Sequence, residues 1–157
     1  MRQMTTLNSI LVLLFLGTLV RPVQAQESPL VGAWIATGWD GEENGSAPGL
    51  LIFTETNYSM MFVPAGMTRP EWPDNGPTDV DLVAAFNTLV ANSGRYTWSG
   101  NEFTTEAYVA LTPPYMAAWG ENHETFMFRV EGDTLHVTWP ADFGIASGSV
   151  GTFRRVG

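Results

Sequence analysis

The sequence has 157 residues, 45% hydrophobic and 15% charged, a balance that fits one folded domain and excludes a disordered chain. It contains no cysteine, so disulfides, thiol catalysis and cysteine-held metal sites are excluded. All seven basic residues are arginines, and sixteen carboxylates set a formal charge of −9, which argues against nucleic acid or an anionic membrane surface as partner.

Residues 1–25 read as a signal peptide. Arg2 supplies a positive start, residues 10–20 form an apolar run, and Val23-Gln24-Ala25 gives a small-x-small pattern, so cleavage is expected after Ala25. The run is shorter than the roughly 20 residues that span a bilayer, and no second one follows, so no integral membrane anchor is expected. Residues 26–157 keep five arginines against sixteen acids, a net charge of −11. An exported chain without cysteine fits a bacterial periplasm or medium.

From there period-2 runs separated by turn residues predict antiparallel strands at 31–39, 49–55, 58–63, 94–98, 102–111, 122–130, 134–139 and 150–156. Thr56-Asn57 as a turn would pair Phe53 with Met60 and Leu51 with Phe62. Between the third and fourth strands lies a proline-rich loop, 64–77, and then a helix. Thr78 with Asp81 matches a capping box, and Leu82, Val83, Phe86, Leu89 and Val90 recur at helical spacing up to Asn92 and Gly94. That apolar stripe is expected to pack against the sheet or cap it. Gly100-Asn101 would pair Trp98 with Phe103 and Tyr96 with Thr105. Gly132-Asp133 would pair Val130 with Leu135, Phe128 with Val137 and Phe126 with Trp139. Eight strands in simple hairpin order favour an all-β, up-and-down barrel over a sandwich. Such a barrel has room for packed side chains or one small ligand.

Several short stretches carry a resemblance. Leu30 to Trp34 (LVGAW) looks like the Gly-x-Trp opening of lipocalins and other calycin-type barrels. Gly49 to Met60 (GLLIFTETNYSM), Gly94-Arg95-Tyr96, Val109 to Pro113 (VALTP) and Phe128 to Leu135 (FRVEGDTL) resemble bacterial lipocalin-like domains. The resemblance implies an eight-stranded barrel around a ligand cavity. It also implies that Trp34 packs at the closed end against an arginine of the last strand, Arg154 or Arg155. Family members often carry histidines in the fifth strand and arginines in the sixth. Here Thr105 and Glu106, and Phe126 and Met127, occupy those places.

The inner face then carries the expected ligand-binding residues Phe53, Phe62, Trp98, Phe103, Phe126, Phe128 and Trp139, with Leu51. The alternative for the same aromatics is a filled core. Tyr115 and Trp119, in the loop 112–121, join the expected site as parts of a lid, and Trp72 in the loop 64–77 is a second lid candidate. Arg95 falls opposite Glu106, with Tyr108 on the same face, and the phase of the strand puts all three outside. His136 falls opposite Arg129 on the polar face, and His123-Glu124 lacks a zinc-protease spacing. Asp40-Gly-Glu42-Glu-Asn44-Gly45 begins like a calcium loop, but Leu51 stands where a bidentate glutamate is needed. No catalytic residue, metal site or cofactor is expected. The expectation is an exported lipocalin-like barrel that holds a small apolar molecule without chemistry of its own. The rivals are a barrel enzyme of isomerase, cyclase or hydratase type, and an interaction protein with a filled barrel.

Overall fold

The computed structural model describes residues 27–43, 48–116 and 123–157. The expected signal peptide, the loop 44–47 and Trp119 lie outside the described residues. Eight principal strands run antiparallel: β1 Gly32–Trp39, β2 Gly49–Phe53, β3 Asn57–Phe62, β4 Val90–Ser99, β5 Glu102–Ala110, β6 His123–Glu131, β7 Thr134–Thr138 and β8 Val150–Val156. Each pairs with the next, and β1 pairs with β8 from Ala33↔Val156 to Trp39↔Gly151, so the sheet closes on itself. A two-residue strand, Glu42–Glu43, folds back on the end of β1. One nine-residue helix, α1 Asp79–Asn87, lies between β3 and β4, and a single turn, α2 Pro113–Met116, follows β5. Among the described residues no helix is long and apolar enough to cross a membrane.

Turn chemistry sets the register. Gly100 and Gly132 take φ of 61° and 58°, the left-handed values that tight hairpins require. The pairs Trp98↔Phe103, Tyr96↔Thr105, Val130↔Leu135 and Phe128↔Val137 form as expected. The β2–β3 hairpin differs. Its pairs are Phe53↔Tyr58 and Leu51↔Met60, so the turn centres on Glu55-Thr56 rather than on Thr56-Asn57. The Thr54 N–H donates to the Asn57 carbonyl at 2.8 Å and the Thr54 hydroxyl accepts from the Asn57 N–H at 3.0 Å, closing the turn one residue early. The pairing slips by two residues, an even number, and the same side chains stay inside.

Two bulges re-aim side chains. The register steps from Ser93↔Val109 to Gly94↔Ala107, leaving Tyr108 extra. A Cβ on Gly94 would sit 1.9 Å from the Glu106 carbonyl oxygen, so only glycine fits this close approach. Beyond the bulge Val109 turns outward, against the expected phase, and Ala110 turns toward the barrel mouth. The second bulge, between Ala36 and Gly38, brings Trp39 into the core.

Inside, Trp34, Leu51, Phe53, Met60, Phe62, Phe103, Phe126, Leu135, Val137, Trp139 and Phe153 are all buried. Phe103 stacks on Phe126 with ring centroids 4.8 Å apart. Trp139 meets Phe62 at 5.0 Å and Trp39 at 5.1 Å. Each such side chain contributes roughly 1.5–3 kcal/mol by leaving water, and the aromatic contacts add about 0.5–1.5 kcal/mol per pair.

The capping box of α1 forms as expected. The Asp81 N–H donates to the Thr78 hydroxyl, and the Asp81 carboxylate accepts from the Thr78 N–H at 2.8 Å. The expected apolar stripe divides, however: Leu82 and Val83 are exposed, Phe86 is partly exposed at the barrel mouth, Leu89 and Val90 lie beyond the helix with Val90 opening β4, and the buried residue of the helix is Ala85. The Arg69 guanidinium donates to the Ala85 carbonyl and to the Thr88 hydroxyl. This ties the loop 64–77 to the C-terminal end of the helix.

Candidate mouth cavity of the barrel

The two ends of the barrel differ. Three short turns and the first and last described strands meet at one end. There the Trp34 indole N–H donates to the Leu30 carbonyl at 2.7 Å, and the Arg155 guanidinium lies 4.0 Å from the centre of the Trp34 ring. The same guanidinium donates to the Val31 carbonyl at 2.6 Å. Of the two arginines the resemblance offered, Arg155 is therefore the plug. Closed eight-strand order and this tryptophan–arginine plug decide the fold. It is a lipocalin-like barrel.

The opposite end of the lipocalin-like barrel receives the long connections, and a cavity of about 520 Å³ opens there. Its apolar wall comes from Phe86 and Leu89 beside the C-terminus of α1, Val90 of β4, Ala110 of β5 and Phe143 of the β7–β8 connection. Its polar groups are Asn87, Asn92, Thr112, Tyr115, Glu124 and Asp142. Asn92 shares the inward phase of Val90, Gly94 and Tyr96, one step inside Val90, and Glu124 shares that of Phe126 and Phe128 as the outermost inward residue of its strand. Burial, and then the neighbouring Asp142 carboxylate, push the Glu124 carboxyl above the usual carboxylate range.

A deeper polar group sits beneath. Thr105 is fully buried, and the hydroxyls of Tyr58 and Tyr115 lie beside its own. Burial raises both phenols, Tyr115 to about 12, so both are neutral at ordinary pH. The Asn92 side-chain oxygen is buried with no hydrogen-bond partner, as are the Trp39 and Trp139 indole N–H groups in the aromatic layer.

The expected site residues divide accordingly. Tyr115 lines the cavity and meets Phe143 edge-on at 6.2 Å. Phe53, Phe62, Phe103, Phe126, Phe128 and Trp139 are brought together as packed core, and Trp98 packs partly buried against them. Phe126 reaches the cavity wall through Phe143, at 5.3 Å. Trp72 is exposed on its loop. Asn92, Thr105 and Glu124 were missed by the sequence reading, although each continues the alternation of an aromatic strand.

The other candidates fall outside the barrel. Arg95 pairs with Glu106 at 2.7 Å on the outer face, and Tyr108 shares that face. The Arg95 side of this pair is open to solvent, which screens it, so the pair adds little to stability. His136 lies opposite Arg129, its Nδ1 3.2 Å from the Thr152 hydroxyl, beside a shallow outer depression of about 280 Å³. Among the described residues no group of three or more His, Asp or Glu side chains is placed to hold a metal ion.

No protein-family model and no curated protein matches the chain. Among solved structures, the chain is similar to a lipocalin-like protein from Bacteroides uniformis, with 18% identity and a TM-score of 0.43, over 81% of this chain and 98% of that one. An uncharacterized protein from Bacteroides eggerthii matches with 13% identity and a TM-score of 0.43, over 81% of this chain and 99% of that one.

Proposed function

We propose that this lipocalin-like barrel is an exported, periplasmic or secreted binding protein that holds a small, largely apolar molecule at its mouth. The observation that carries the reading is the cavity itself: apolar walls around a few inward polar groups, above a solid aromatic floor. Its volume of about 520 Å³ lies within the range of pockets that enclose small molecules. Apolar burial would supply affinity at roughly 25 cal/mol per Å², and the polar groups would orient the ligand. In this reading Tyr115 touches the ligand directly, while Phe126 and its core neighbours keep the wall rigid.

Native mass spectrometry on protein recovered from the periplasm, followed by organic extraction, tests this. A discrete extra mass that extracts as an apolar metabolite is the expected result. A clean protein mass, with no uptake from a panel of fatty acids, quinones, terpenoids and aromatic amines, overturns it. That outcome would favour a protein-contact role, for which the exposed Trp72 and the apolar face of α1 supply a surface.

A further inference from the structure

We propose that the mouth cavity selects a cationic amphiphile, an organic ammonium on an apolar body, with the ammonium seated among Glu124, Asp142 and the side-chain oxygen of Asn92. The proposal rests on the ligand-binding reading above and names the occupant. Both carboxylates line the same cavity, and among the described residues no arginine or histidine does. Asn92 is only 6% exposed, and its buried oxygen has no partner. A buried acceptor without a donor is a standing cost that a ligand N–H removes.

Among the described residues no arginine is placed to neutralise this pair. Arg69 is engaged by the end of α1, Arg95 by Glu106, and Arg155 by the Trp34 plug. Arg129 sits outside the barrel beside Glu131, and Arg154 is exposed on the last strand. The segments 44–47 and 117–122 contain no basic side chain. The raised Glu124 carboxyl is what a carboxylate without a cation shows when half withdrawn from water.

The donor inventory separates ligand classes. An anionic head group would meet two like charges. A neutral alcohol offers one donor, enough for Asn92 and nothing for the carboxylates. An ammonium brings a charge and three donors, one for each group.

Calorimetry on the purified protein with 4-phenylbutylamine, 4-phenylbutanol and 4-phenylbutanoate tests this. The amine is expected to bind at least about tenfold tighter than the other two. Glu124→Gln and, separately, Asp142→Asn are each expected to weaken the amine about tenfold and to leave the alcohol unchanged. Alcohol or carboxylate binding as tightly as the amine overturns the charge selection and leaves the cavity reading standing. Binding by none of the three overturns both.

Discussion

The plug at the closed end ties three backbone and side-chain groups to one guanidinium. Arg155 covers the Trp34 ring and donates to the Val31 and Pro29 carbonyls, the second at 3.3 Å. Gly32 is part of the same fit, since a Cβ there would sit 2.6 Å from the Arg155 Nη1. Arg155→Met keeps the apolar stem and removes the charge and donors, and is expected to cost about 1–3 kcal/mol. Arg155→Lys is expected to recover part of that. Urea unfolding checks both, through a lower midpoint at unchanged slope. At the mouth Glu124 works the other way. Its folded pKa is raised above the unfolded value, so ionising it costs the folded state stability. That cost is absent below the unfolded pKa and complete once the pH passes the folded one. Glu124→Gln is therefore expected to raise Tm at about pH 7, with the gain vanishing toward about pH 4. Thermal melts at both pH values decide it, and an equal gain at both would point to packing instead.

Helix α1 shows how a correct local reading can mislead about packing. Capping residues act within one turn, so the start of the helix at Thr78–Asp81 was legible. Which face turns inward depends on contacts from outside the helix, such as the one from Arg69 to its C-terminal end, and periodicity carries no trace of them. Val83→Glu places a charge where the side chain is 59% exposed, and is expected to shift stability by less than about 0.5 kcal/mol. Chemical denaturation measures this, and a loss of several kcal/mol would mean that α1 packs after all. The hairpins divide by the same logic. Gly100 and Gly132 mark their turns because only they take positive φ cheaply. The Thr54–Asn57 turn has no glycine, so its centre was ambiguous by one residue and the register by two. Bulges leave still less signal: Val109 reads as inward until Gly94 is seen against the Glu106 carbonyl.

At the scale of the whole barrel, strand order and inner face were legible because every hairpin is local and the pleat has period 2. Closure was an inference from strand count, since Ala33 meets Val156 across nearly the whole folded chain. Whether the aromatics fill the barrel was not legible, because alternation gives direction and not depth. Phe103 and Phe126 point inward as expected, and what lies in front of each is another ring. The cavity arises instead where long connections overhang the strand ends, and their course depends on tertiary contacts such as Tyr115 against Phe143. The same geometry has a practical side. Leu30 and the last strand meet at the plugged end, opposite the cavity, with Arg155 bonded to Val31. A surface tether or reporter dye attached after Gly157 would stand a barrel's length from the opening. The protein can thus be immobilised by its tail on a sensor chip with every mouth facing the flow.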